Sequence, residues 1–338
     1  MNNERVSLKT IAEKAGVSKP VVYTVLNNRY GRGIYVSEKR KEEILNIASE
    51  LGYVAPKSAK ELFTGKSDNI GVILHEINHP FTEMLNWLQR EAHKKGFEIT
   101  PYLTSAKGKL EEHYLNMVRD GRVDGLIAIA ATDGSRDRYR KFSNAPYRLK
   151  ILAYHEPIPD VPTIHFDEER AGRMAAKHLL EAGCKRLAFL GEHGGMPRCR
   201  GFSEYIRQKG GEAPLIIKRR AKYKNMFSDG SGMAHQLLKL KKKPDGVFAS
   251  CDLLAIALLR EALKTGIKVP EDMAIMGCDN TEVCLYTTPS ISSIDFNIPL
   301  LAKKMMGQME QIINTGIFKP MHLTVPVKLV ERESTKRR

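Results

Sequence analysis

Apolar residues near the start of the chain recur every three or four positions, the helical period. Leu8, Ile11, Ala12 and Ala15 form one face behind Ser7, whose hydroxyl suits a helix N-cap, and Gly16 ends the run. After a three-residue turn, Ser18 caps a second face made of Val21, Val22, Val25 and Leu26, with Pro20 in the first turn where its missing N–H costs little. Ser37 caps a third helix bearing Ile44, Ile47, Ala48 and Leu51, which stops at Gly52. Residues 54–68 read as a linker with one or two helical turns around Ala59, Glu61, Leu62 and Phe63. So short a helix is marginal alone and needs a partner.

From Ile70 onward the period changes. Short apolar runs at 70–74, 97–103, 125–130 and 150–154 alternate with amphipathic stretches near 81–95, 107–119 and 135–143. A second series places strands at 161–166, 186–191, 214–218, 246–250 and 273–277, with helices near 168–182, 199–209, 229–242 and 252–265 between them. Strand–helix alternation predicts an α/β body of doubly wound parallel sheets. Two series give two lobes, with a small-molecule cleft between them beyond the carboxyl ends of the strands.

A length of 338 residues permits two domains and a small third. No apolar run is long enough to cross a bilayer, and MNNERVSLKT lacks a signal-peptide core, so the cytoplasm is the expected compartment and no membrane the expected partner. The five cysteines include no CxxC pair, which argues against a zinc or disulfide framework. The net charge of +15 makes a polyanionic partner plausible. Its distribution sharpens the point: residues 1–66 carry +5 and the four-times-longer remainder +10, so the helical N-terminus is the more basic region per residue.

A DNA-binding helix-turn-helix needs a tight turn and small residues where its helices touch, and LKTIAEKAGVSKPVVYTVLNN meets both demands. Ser7 and Ser18 stand at helix N-termini, where phosphates bind, while Lys19, Pro20, Tyr23 and Thr24 face the base edges. Catalytic signatures are missing. GEHGG at 191–195 lacks phosphate-loop spacing, the ten histidines show no metal spacing, and no GxSxG elbow occurs, so neither enzyme, cofactor nor metal is expected.

The segment SLKTIAEKAGVSKPVVYTVLN, followed by VSEKRKEEILNIASELGY and the run to IGVIL, resembles the N-terminus of LacI/GalR-family transcriptional regulators. The likeness continues through INHPF at 77–81, RVDGLI at 122–127, AAKHLLEAGCKRLAFLG at 175–191, RCRGF at 198–202, GCDN at 277–280 and LVERESTKRR. It implies a helix-turn-helix domain over 1–55, a hinge helix over 56–68 and a two-lobed periplasmic-binding-protein-like body over 69–338. Lobe 1 would hold about 69–160 and 295–325, and lobe 2 about 161–294 and the C-terminal strand. It further implies a homodimer on a near-palindromic operator, contacted by Ser7, Leu8, Ser18, Lys19, Pro20, Tyr23, Thr24, Asn27 and Ser37. Lys57 and Lys60 would meet phosphates, and Leu62 would wedge into the minor groove. His75, Asn78 and Phe81 from lobe 1 would face Arg198, Phe227, Asp279 and Phe296 across the effector cleft.

Departures from the family pattern matter. Val21, Val22, Tyr23 and Thr24 replace a hydroxyl-rich run with arginine, the loop between Asn27 and Val36 is about four residues longer than usual, Pro56 stands where asparagine is frequent, and Cys251 replaces an asparagine. The expected function is a ligand-responsive regulator, most simply a repressor of carbohydrate uptake or catabolism. A purine or other co-repressor is the rival, and a sugar-binding protein without DNA function is a more distant one. With no heptad extension at the C-terminus, dimers are expected rather than coiled-coil tetramers.

Overall fold

The computed structural model describes residues 6–26, 35–53, 65–74, 80–104, 109–129, 134–154, 157–191, 196–219, 225–316 and 322–337. The chain divides into two compact units, Met1–Ser67 and Asp68–Arg338.

In the first unit, α1 (Leu8–Ala15), α2 (Lys19–Leu26) and α3 (Glu38–Glu50) enclose a core of Ile11, Ala12, Ala15, Val22, Val25, Val36, Ile44 and Ala48. Local chemistry sets the helix ends. Ser7 Oγ accepts from the Thr10 amide at 3.3 Å, and the Ser7 amide donates back to Thr10 Oγ1 at 3.4 Å, closing a capping box. Gly16 adopts φ +64°, which lets the Val17 amide reach the Ala12 carbonyl at 3.0 Å and turns the chain into α2. The expected hinge helix, with Lys57, Lys60 and Leu62, lies outside the described residues, as does Asn27.

The second unit opens with β1 (Asn69–Leu74), α4 (Phe81–Lys94), β2 (Glu98–Leu103), α5 (Lys109–Arg119), β3 (Gly125–Ala128), α6 (Ser135–Ser143), β4 (Ile151–Tyr154) and β5 (Thr163–Phe166). It continues with α7 (Glu168–Glu181), β6 (Leu187–Gly191), α8 (Pro197–Gln208), β7 (Leu215–Lys218), α9 (Met226–Leu238), β8 (Gly246–Ala249), α10 (Asp252–Lys264) and β9 (Ala274–Cys278). The closing elements are β10 (Ser292–Asp295), α11 (Ile298–Thr315), β11 (His322–Val325) and β12 (Lys328–Val330). The first sheet is all parallel in the order β11-β5-β4-β3-β1-β2. In the second, β12-β10-β9-β8-β6-β7, only the β10–β12 pair is antiparallel.

Strand β5 corrects the expectation that 161–166 begins the second lobe: Ala153 pairs with Thr163 and Tyr154 with Ile164, so it lies beside β4 in the first sheet. Apolar runs reveal strands but not which sheet they join, and no helix separates β4 from β5 to mark the unit. The change of sheet comes one step later, at Asp167. Three short crossings join the lobes, β5 to α7, β10 to α11 and β11 to β12, and the Asp167 amide bonds the Val325 carbonyl at 3.3 Å between two of them.

Helix α11 buries Leu301, Met305, Met309 and Ile312 in lobe 1. The C-terminus is tied into lobe 2: Ser334 Oγ donates to the Ile275 carbonyl at 2.6 Å, and Thr335 Oγ1 lies 2.7 Å from both Ser292 Oγ and His178 Nε2. Two glycines decide how α7 meets α8. A Cβ on Gly172 would fall on the Arg198 carbonyl, and one on Gly201 on the Glu169 carbonyl. These helices touch backbone to backbone, and their first turns therefore sit side by side.

Candidate functional site

Two separate places carry chemistry, one in each unit. In the helical unit, α2 presents Lys19 and Pro20 to solvent, and Ser18 just ahead of it is exposed. Tyr23 is half-buried. Thr24, expected at the base edges, is only 7% exposed. Three positions after Val21, it falls on the side of the helix that packs inward, which removes it from the reading face. Leu8 is half-buried against the same core. Ser7 Oγ is engaged as the α1 cap, whereas Ser37, at the N-terminus of α3, is exposed and makes no side-chain cap bond. The starts of α2 and α3 are thus both exposed, two places where unsatisfied helix N–H groups favour phosphate.

In the body, the close α7–α8 contact brings Arg198, in the first turn of α8, against Glu168 at the start of α7. Arg198 Nε and Nη2 donate to the two Glu168 carboxylate oxygens at 3.3 and 3.1 Å, and Nη1 donates to the Ser250 carbonyl after β8. The guanidinium carbon lies 5.1 Å from the centre of the Phe296 ring, which itself stacks on Phe166 at 4.4 Å and 10°. Arg198 and Glu168 are 9% and 7% exposed. The resemblance places both Arg198 and Asp279 at the cleft, but the carboxylate that pairs with Arg198 is Glu168.

Asp279 follows β9 with φ +107°, a conformation that costs energy for any residue with a side chain. Its amide donates to the Ile294 carbonyl at 2.9 Å, and among the described residues its carboxylate forms no ion pair. Burial pushes its pKa well above the usual carboxylate range, nearby Asp252 adds to the shift, and Arg198 opposes it. Asp252 is fully buried but accepts from the Thr281 amide and from Ser293 Oγ, both at 2.6 Å, so it is the better holder of negative charge. Gly277 makes that closeness possible, because a Cβ there would strike Asp252.

The remaining expected cleft residues scatter. Phe81, half-buried, packs into the apolar core at the start of α4, and Phe296 is 4% exposed, a wall behind Arg198 rather than an open surface. Phe227 has the Arg260 guanidinium over its ring at 5.6 Å and makes no ring contact with Arg198 or Phe296. His75 and Asn78 lie outside the described residues. Cys251 caps no N–H of α10, and burial together with the neighbouring Asp279 pushes its thiol up to about 12, so it is not a ready thiolate.

Sequence reasoning missed Glu168, Phe166 and the Ser250 carbonyl. An acidic residue in the first turn after a strand was visible, but assigning that strand to the wrong lobe hid what it faced. A cavity of about 310 Å³, lined by Pro157, His165, Asp167, Glu169, Arg200 and Thr324 among others, borders this hinge. A basin of about 750 Å³ at the amino ends of the lobe 2 strands, lined by Lys185, Arg186 and Lys241 to Lys243, sits at the wrong end of the sheet for a doubly wound ligand site. Among the described residues, no group of three or more His, Cys, Asp or Glu could hold a metal, and no helix is long and apolar enough to cross a membrane.

A basic helix-turn-helix unit followed by a two-lobed body with polar groups at its hinge defines a ligand-responsive DNA-binding transcriptional regulator. Residues 7–55 match the model of bacterial regulatory proteins of the lacI family, and residues 176–335 match a periplasmic binding protein-like domain. The chain thus carries a lacI-family DNA-binding domain and a periplasmic binding protein-like domain, the make-up of LacI/GalR-family transcriptional regulators.

It is 28% identical to the NTD biosynthesis operon regulator NtdR of Bacillus subtilis (strain 168), over 97% of this chain and 99% of that one. The HTH-type transcriptional repressor PurR of Aliivibrio salmonicida (strain LFI1238) is 26% identical over 85% of this chain and 86% of its own. The ribose operon repressor of Halalkalibacterium halodurans is 26% identical over 98% and 97%. The Lac repressor dimer bound to operator and an anti-inducer shares the fold, with a TM-score of 0.84 at 21% identity over 98% and 99% of the two chains.

Proposed function

We propose that the chain is a cytoplasmic repressor of carbohydrate uptake or catabolism genes that binds a palindromic operator as a homodimer and answers to a sugar or sugar derivative in the hinge cleft. The observation that carries the reading is the pairing of an exposed, basic recognition-helix start with a second unit whose hinge gathers fixed donors and acceptors. The ribose operon repressor among its relatives supports a sugar, and the operator-bound Lac repressor dimer, alike in fold, supports a two-fold assembly. An exposed apolar ridge of Val283, Leu285 and Tyr286, 38%, 57% and 69% exposed, is a surface that a second copy would cover.

In this reading Lys19 donates to guanine acceptors in the major groove, Pro20 and the exposed part of Tyr23 meet apolar base edges, and Ser18 and Ser37 bind phosphates. Lys57, Lys60 and Leu62 serve the centre of the operator. In the cleft, Arg198 still has two of its five N–H groups for ligand hydroxyls, and Asp279 accepts from others. Phe296 backs the pocket, and His75, Asn78, Phe81 and Phe227 are kept as further candidates for the effector on the family resemblance alone. Effector and operator are linked through the lobe geometry, so each must change the affinity for the other by the same factor.

The test is selection of bound duplexes from a random pool at stated salt, followed by operator release with a panel of sugars. A palindrome released by one sugar class is the expected result. Salt-sensitive binding without sequence preference, in the presence and absence of sugars, would overturn the regulator assignment at this level of detail.

A further inference from the structure

We infer that Glu168 is a specificity-determining residue, which closes the Arg198 subsite to phosphate and carboxylate groups and leaves it to uncharged hydroxyl or carbonyl oxygens. The inference rests on the proposed reading of the hinge as the effector site and goes further, to the chemical class of group accepted there.

An unpaired, buried guanidinium is an anion receptor, because its planar fork matches two oxygens of a carboxylate or phosphate. Arg198 is buried, but its fork is already filled. Nε and Nη2 lie against both oxygens of Glu168, and Nη1 is drawn to the Ser250 carbonyl. An arriving anion would have to displace Glu168, leaving a carboxylate 7% exposed without its cation, or share the guanidinium with it at like-charge distance.

Displacement is blocked mechanically as well. Gly172 and Gly201 hold α7 and α8 in backbone contact, so the backbones that carry the two side chains cannot move apart to admit an anion without parting the helices. The Phe296 ring, 5.1 Å from the guanidinium carbon and stacked on Phe166, covers one face of the fork. What remains is two N–H groups of a charge-compensated arginine. Those suit a neutral oxygen, which accepts a hydrogen bond without needing a net positive field.

The experiment uses the full-length chain at constant ionic strength, with inorganic phosphate, glucose 6-phosphate and glucose as probes in titration calorimetry, and thermal scans to verify folding. Glu168→Gln keeps size and one acceptor but removes the charge. It is expected to raise phosphate affinity at least about tenfold over wild type, a gain abolished in the Glu168→Gln/Arg198→Met double variant. An unchanged phosphate affinity in folded Glu168→Gln overturns the inference. So does wild-type binding of glucose 6-phosphate that exceeds glucose and is lost in Arg198→Lys, an arm that needs no Glu168 variant. If no neutral sugar binds wild type while Glu168→Gln gains phosphate, the sugar reading fails and the role of Glu168 stands.

Discussion

The helical unit and the hinge cleft are organised on different length scales. Around α1 every device is local: Ser7 caps through Thr10, Gly16 turns the chain, and Val17 bonds Ala12. At the hinge, Arg198 reaches thirty residues back to Glu168 and 52 forward to Ser250, while Asp252 meets Ser293 41 residues away. The first region is therefore robust to changes elsewhere in the chain but rests on a core of eight apolar side chains. The second exists only when both sheets, three crossings and the α7–α8 pair are in place. Local order is cheap to specify and thin in energy; long-range order places chemistry but depends on exact packing.

The sharpest way to break this contrast is to part α7 from α8. Gly172→Val would drive an isopropyl group, its Cβ first, into the backbone of α8, and a loss of more than about 4 kcal/mol is expected because main-chain atoms cannot rotate aside. Denaturant titration would read it. The helical unit should keep its own unfolding transition, and a single merged loss of both would contradict the separation of scales. Next in size, Ile11→Ala removes the fully buried centre of the small core at a cost of about 3 kcal/mol. Operator binding should vanish near physiological temperature while sugar binding, measured by calorimetry, stays within twofold.

The same contrast explains what the sequence made legible. Caps, turns and helical periods are written within a few residues, so all three helices of the first unit and the strand–helix alternation of the body could be read directly. Thr24 was misjudged because the recognition helix has only eight residues, and its inward side is fixed by α1 and α3 rather than by its own pattern. Strand β5 was misassigned because lobe membership depends on pairing partners. The family resemblance names Arg198 and Asp279 but not Glu168, the carboxylate that Arg198 pairs with. Which carboxylate meets a guanidinium depends on two glycines that permit a backbone contact, and a single sequence shows glycines without showing what they let approach.

A smaller effect sharpens the local side of the comparison. Ser7→Ala removes one side-chain acceptor for the Thr10 amide and should destabilise the helical unit by about 1 kcal/mol, with no change in the transition of the body. Hydrogen exchange at the amides of α1 would register it. Loss of protection in the body as well would mean that the cap acts beyond its own helix.

The smallest effect is expected at Asp279, where it should appear as a pH dependence. Burial and Asp252 raise its pKa in the folded state above that of the unfolded chain, so the native form binds this proton more tightly. Stability from this group is present in acid and is lost as pH rises from the ordinary carboxylate range toward the raised value. Asparagine keeps the shape and never ionises. Asp279→Asn should therefore melt about two degrees above wild type at pH 7.5, a shift equivalent to about 1 kcal/mol for a body of this size, with the gap closing as the buffer is lowered toward pH 4. A gap independent of pH would mean that the benefit comes from relieved packing rather than charge. Because the same carboxylate is proposed to accept ligand hydroxyls, the stabilised variant should bind sugar more weakly, and stronger binding would remove Asp279 from the effector site.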